Sequence, residues 1–174
     1  MFSPEELVVY PAQGVGVVER IESKEIGGLT ADFYIVRILG SNITLLVPVK
    51  NAGNVGLRHL SSKPECQEVF ENLKNRAGFT GYTGQNWNRR YREYTEKLQT
   101  GTLNNASHVL KELLLISGEK DLSFGERRLL DQAMNLVTTE MACVLGEKQE
   151  QIQSSIEELF VDILQKPNND SADL

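Results

Sequence analysis

Two regimes of hydrophobic patterning meet near residue 62. Before it, apolar residues come in short runs closed by turn residues: Glu6 to Tyr10, Val15 to Glu22, Phe33 to Leu39, Ile43 to Pro48 and Val55 to Arg58. Runs of that length between glycine, proline and asparagine predict strands. Pro11 ends the first run because it has no N–H to give a central ladder. Gly27-Gly28 and Gly40-Ser41-Asn42 predict the turns. Five short strands with tight turns predict a small, strongly bent barrel. In the fourth strand, alternation puts Ile43, Leu45 and Val47 inward and Thr44 and Leu46 outward.

After residue 62 the spacing changes to three and four. Ser62 and Glu65 form a capping-box pattern with Pro64 in the first turn, opening a helix to about Asn75 with Cys66, Val69, Phe70 and Leu73 on one face. Residues 77–84 hold three glycines and predict a loop. Asn86 is an N-cap for a helix over 86–99, which stops at Gly101. Further helices are predicted over 103–117, from the Ser123/Glu126 capping box to Gly146, and from Lys148 to Leu164. The stretch from Pro167 to Leu174 has too little apolar surface to pack and predicts a disordered end. Strands first and helices afterwards define an α+β chain of two domains, residues 1–62 and 63–165, with an acidic tail over 166–174.

Charge refines this division. Residues 1–62 carry five basic and six acidic side chains, 86–139 eight and seven, and 140–174 two and eight. The acidity belongs to the C-terminal end, and the pI near 5.0 argues against tight non-specific DNA binding, which relies on phosphate neutralisation. Any nucleic-acid contact is therefore local and needs a second anchor. No apolar run approaches a membrane span, and the N-terminus lacks a secretory pattern, so a cytoplasmic protein with free, buried Cys66 and Cys143 is expected.

Catalytic patterns are missing. His59 and His108 lie at no metal spacing with each other or with a cysteine. Gly14-Val15-Gly16 begins like a dinucleotide loop, but Glu19 stands where the third glycine belongs. An enzyme is not expected, nor a cofactor. What remains is Asn86-Trp87-Asn88-Arg89-Arg90-Tyr91-Arg92, which holds the only tryptophan and three arginines. At 100° per residue, Trp87, Tyr91, Tyr94 and Leu98 fall within about 60° of one another. Periodicity therefore allows Trp87 to begin a buried stripe with Arg89 and Arg92 on its wet face. Its place at the N-terminal edge of the helix also allows the stripe to run off the core, leaving Trp87 beside arginines and backbone donors suited to phosphate.

Four segments in order carry a resemblance: Val9-Tyr-Pro-Ala-Gln-Gly-Val-Gly16, Ile43-Thr-Leu-Leu-Val-Pro-Val-Lys-Asn-Ala52, Asn86-Trp-Asn-Arg-Arg-Tyr-Arg92 and Leu122-Ser-Phe-Gly-Glu-Arg-Arg-Leu-Leu130. On these the chain resembles the CarD/CdnL family of bacterial RNA-polymerase-binding transcription factors, over about residues 5–165. The resemblance implies a Tudor-like N-terminal domain, of the type shared with the transcription-repair coupling factor, that docks on the RNA polymerase β subunit. It also implies a helical domain that meets promoter DNA in the minor groove at the upstream edge of the −10 bubble. By position, Trp87 matches the family's wedge, Arg89, Arg90, Arg92 and Arg127 its basic contacts, and Lys24 and Leu46 its polymerase-facing positions. A non-enzymatic, monomeric regulator that stabilises the open complex, with no small-molecule ligand, is the expectation. Leu46 departs from the arginine or methionine common there, so that contact must be apolar. Two other readings stay open: a polymerase adaptor with Trp87 buried, and a free-standing DNA-binding regulator.

Overall fold

Sheet and helices each build a core of their own in the computed structural model, which describes residues 1–79 and 87–165. The five strands are β1 (Leu7–Tyr10), β2 (Gly14–Ile26), β3 (Leu29–Ile38), β4 (Thr44–Pro48) and β5 (Arg58–His59). They form one antiparallel sheet in the order β4-β3-β2-β1-β5. Between Val18 and Arg20 the register slips by one residue, and such a bulge bends and twists the strand that carries it. The bent sheet encloses Val8, Val18, Tyr34, Val36, Ile38 and Val47.

The β2–β3 hairpin is longer than the hydrophobic pattern predicts. Ile26 pairs with Leu29 across Gly27 and Gly28, whose φ values of 61° and 80° suit a two-residue turn. Its outer part is exposed, with Ile26 at 61% and Leu29 at 76%, so it has no buried face to leave a period-two signal. Ile43, expected inward, is exposed: β4 begins at Thr44, and Ile43 lies just before it, its carbonyl accepting from Ile38 N–H and its own N–H donating to the Ser41 hydroxyl. Leu45 is half-buried and Val47 buried, as alternation requires. The fifth strand falls at Arg58–His59 rather than over 55–58, because Val55 to Leu57 close a turn whose N–H groups bond back to Asn51, Ala52 and Gly53.

The helices are α1 (Lys63–Lys74), α2 (Trp87–Gln99), α3 (Leu103–Ser117), α4 (Phe124–Leu145), α5 (Gln149–Glu158) and α6 (Val161–Leu164). Caps set most boundaries. Ser62/Glu65 and Ser123/Glu126 are complete capping boxes, Thr102 Oγ1 accepts from Asn105 N–H, and Gly146 takes the left-handed conformation that ends α4. The expected cap at Asn86, the loop over 77–84 from residue 80 onward, and the tail over 166–174 lie outside the described residues. The single helix expected over 148–164 is broken into α5 and α6. Phe160 turns fully into the core there, and Arg76 lies 5.2 Å over its ring. Arg76 also donates to the Leu159 carbonyl and, through both terminal nitrogens, to Asp162. A long-range guanidinium thus supplies the partner for a carbonyl released by the break.

Around α3 the helical core is apolar on nearly every side: Val109, Leu110, Leu113 and Leu114 are buried, against Leu129, Ala133, Val137 and Met141 of α4. Beneath them, β2 meets α4, and Val9 and Val15 line a seam with Leu98, Leu103, Ala106 and Leu136. Having both faces covered explains why Gly14 to Val18 are buried without alternation.

Cys66 is buried and Cys143 only half-buried, and both are free thiols. Burial, followed by the charges of Glu140 and Glu65, pushes the Cys66 thiol up to about 11. Its thiolate fraction at pH 8 is then on the order of a hundredfold below that of an ordinary thiol. Cys66 should resist an aromatic disulfide reagent in the native protein and react once denaturant is added. Rapid reaction of both thiols under native conditions contradicts this.

Candidate nucleic-acid interface

At its C-terminal end α2 is a core helix, and at its N-terminal end it is a surface helix. Leu98 and Tyr94 are buried and Tyr91 is 47% exposed, while Trp87 is half-buried and packs against the edge of the helical core, so the stripe loses burial toward the N-terminus without leaving the core. Tyr94 anchors the inner end. Burial, then its hydrogen bond to Glu112, raises its phenol well above the usual range. Glu112, bonded to His108 at 2.9 Å and to Tyr94, is correspondingly held below the ordinary carboxylate range.

Trp87 does not stand free. Its ring lies 5.5 Å from that of Tyr91, tilted by 59°, and its six-membered edge rests on the first turn of α4. A Cβ placed on Gly125 would stand 3.1 Å from Trp87 Cζ2 and 3.7 Å from Cε2, so glycine there is what lets the indole approach the backbone. That turn is itself rigid. Ser123 and Glu126 cap it reciprocally, and Lys120 holds the buried Glu126 carboxylate. Burial alone would raise Glu126, but the Lys120 ammonium and the Ser123 donors outweigh it and leave the group below its ordinary value.

The arginines divide. Arg89 is exposed and paired with Glu93 at 3.2 Å, one helical turn on, and Arg92 is exposed. Arg90 is half-buried and lies against the Tyr94 hydroxyl, so it points into the helical domain rather than away from it. Arg127 is exposed on α4, two residues beyond Gly125, with Nε donating to the Leu122 carbonyl at 3.3 Å. Trp87, Arg89, Arg92 and Arg127 therefore belong to two helix starts held together by the Trp87–Gly125 contact. Phe124, 79% exposed, and Arg128, 5.9 Å over its ring, stand on the same turn. Sequence reasoning passed over both; the signal was a phenylalanine immediately after a cap and outside the buried stripe.

The other two candidates are on the sheet. Lys24 on β2 is half-buried and 3.5 Å from Glu22, and Leu46 on β4 is 49% exposed. Their partners on β3 are Ala31 and Ile35, so the two share a face, about 13 Å apart along the strand direction. Among the described residues no group of histidine, cysteine, aspartate or glutamate side chains is arranged to hold a metal ion, and no helix is long and apolar enough to cross a membrane.

Comparison with known proteins accounts for both halves. Residues 2–61 match the CarD-like/TRCF RID domain, and residues 68–157 match the CarD C-terminal domain. The chain belongs to the CarD-like family of transcription factors. It is also similar to a Bacillus subtilis (strain 168) protein named "Putative transcription factor YdeB", with 26% identity over 159 residues, 88% of this chain and 99% of that one.

Gly125 gives the interface a direct test. Gly125→Val adds branched bulk where Trp87 now rests, and the indole must lift away. Acrylamide quenching of Trp87 should increase, with the helical circular dichroism unchanged; equal quenching would mean that the ring does not use this seat.

Proposed function

We propose that the protein is a non-enzymatic regulator that docks on the RNA polymerase β subunit through its sheet domain and stabilises the open promoter complex through its helical domain. In this reading residues 1–62 are the polymerase-binding domain and 63–165 the DNA-binding domain. Trp87 is the wedge in the minor groove upstream of the melted −10 region. Arg89, Arg92 and Arg127 hold neighbouring phosphates, and Arg90 reaches DNA only from beside Tyr94. Lys24 and Leu46 face the polymerase, and the protein works as a monomer.

The observation that carries the reading is the seating of Trp87 on Gly125, which joins a partly exposed tryptophan to arginines on two helices. An aromatic beside phosphate-binding cations is the composition of a minor-groove wedge. The excess of acidic residues in the chain explains why a second anchor is needed: tethering to polymerase raises the local concentration of a weak DNA contact. The match of residues 2–61 to a domain type shared by CarD-like proteins and TRCF supports polymerase as that anchor. The half-burial of Trp87 favours one alternative, an adaptor whose tryptophan is purely structural.

The test is the half-life of competitor-challenged open complexes formed by the cognate polymerase, with and without the full chain, alongside capture of the β subunit. An unchanged half-life at saturating protein removes the proposal.

A further inference from the structure

The sheet and helical domains are joined by a charged lock. Glu140 of α4 is 3% exposed, yet it is a carboxylate, and both its oxygens are occupied from the sheet side. Arg58 of β5 donates Nη1 to Oε1 at 2.7 Å and Nη2 to Oε2 at 2.8 Å, while Ser61 adds its N–H at 2.9 Å and its hydroxyl at 2.8 Å. The third arm of the same guanidinium, Nε, donates to the Gly101 carbonyl at 2.8 Å, in the turn between α2 and α3. One side chain is thus tied to two separate points of the helical domain. A planar fork bound on three sides permits neither sliding nor rotation.

Close backbone packing reinforces it. Pro11 stands between Gly56 of the sheet domain and Gly101 of the helical domain; a Cβ on Gly101, where φ is 74°, would meet three Pro11 atoms at 3.0 to 3.2 Å. A Cβ on Gly14 would stand 3.2 Å from Leu136. Apolar seams hold surfaces together without choosing an angle, whereas a buried, directional ion pair is best understood as selecting one arrangement.

What that angle controls is visible in α2. The turn gripped by Arg58 is the C-terminal end of the helix whose first residue is Trp87. Thirteen residues make a lever roughly 18 Å long, so a 10° tilt at Gly101 moves Trp87 by roughly 3 Å. We propose that Glu140, clasped by Arg58 and Ser61, is a positioning residue: it fixes the reach and angle at which Trp87 is presented by a sheet domain docked on polymerase. This role rests on the function proposed above. It adds that the two domains must act as one rigid body, since a misplacement of ångströms at a reacting or wedging group costs large factors in effect.

The experiment uses the full chain in three variants, Glu140→Ala, Arg58→Lys and Trp87→Ala. Residual dipolar couplings report whether one alignment tensor fits both domains, and polymerase affinity and open-complex half-life are measured beside them. Wild type should fit one tensor; Glu140→Ala and Arg58→Lys should need two. They should keep polymerase affinity within about twofold and shorten the half-life about tenfold. If Glu140→Ala does not fold, Arg58→Lys, which keeps the charge and loses the fork, carries the test. A single tensor in the folded variants, or a wild-type half-life with the domains uncoupled, overturns the role. Loss with Trp87→Ala but not with Glu140→Ala overturns this role alone. A wild-type half-life with Trp87→Ala overturns the wedge and the positioning role together.

Discussion

Trp87→Ala is expected to shorten the open-complex half-life about tenfold at saturating protein while leaving polymerase affinity at its wild-type level. Aromatic stacking on a base is worth ~1–3 kcal/mol, and ~1.4 kcal/mol is tenfold in an equilibrium constant. That is too little to melt a duplex and enough to bias an opening that polymerase already drives. The substitution removes a half-buried ring that contacts Tyr91 and the Gly125 backbone, not a member of the fully buried core. It leaves the Tyr94–Glu112–His108 cluster and the α3–α4 packing untouched, so α2 should stay helical. Trp87→Phe should recover part of the effect, since a smaller flat ring still stacks. Equal half-lives for wild type and Trp87→Ala, in a protein that still binds polymerase, would leave the adaptor reading standing.

How far the sequence could be read depended on the range of the interactions involved. Local signals placed α4 closely, because Ser123 and Gly146 act within one turn of themselves, and apolar spacing alone placed α3. Of the outer half of the β2–β3 hairpin only the Gly27-Gly28 turn was legible, since its largely exposed strands have no buried face to impose alternation. Phe160 lies inside the helix predicted over 148–164, but the break beside it depends on Arg76, more than eighty residues earlier. The candidate interface shows the same division. Spacing put Trp87 on the apolar stripe of α2 but left its burial open, and its seat at Gly125 and the inward path of Arg90 depend on how α2 packs. No local pattern marks Glu140 in the sequence; only the fold sets it 2.7 Å from an arginine 82 residues away.

Leu46→Asp should produce the opposite defect, a loss of affinity with the wedge intact. Leu46 is half exposed on β4 and shares its face with Lys24, so the substitution costs the free protein little. In a docked complex it removes an apolar contact worth ~1.5–3 kcal/mol and places a carboxylate without a partner in the interface. Polymerase affinity should fall between about tenfold and a hundredfold. The two variants then separate in a titration. Trp87→Ala should saturate at the wild-type concentration with little effect on half-life, whereas Leu46→Asp should need far more protein and still approach the wild-type half-life. A regulator that found DNA without polymerase would not show this shift, because Leu46 is on the sheet and the Trp87 face is on the helices. If Leu46→Asp titrates at the wild-type concentration, the β4 face is not where polymerase binds, and the anchor must be sought elsewhere on the sheet.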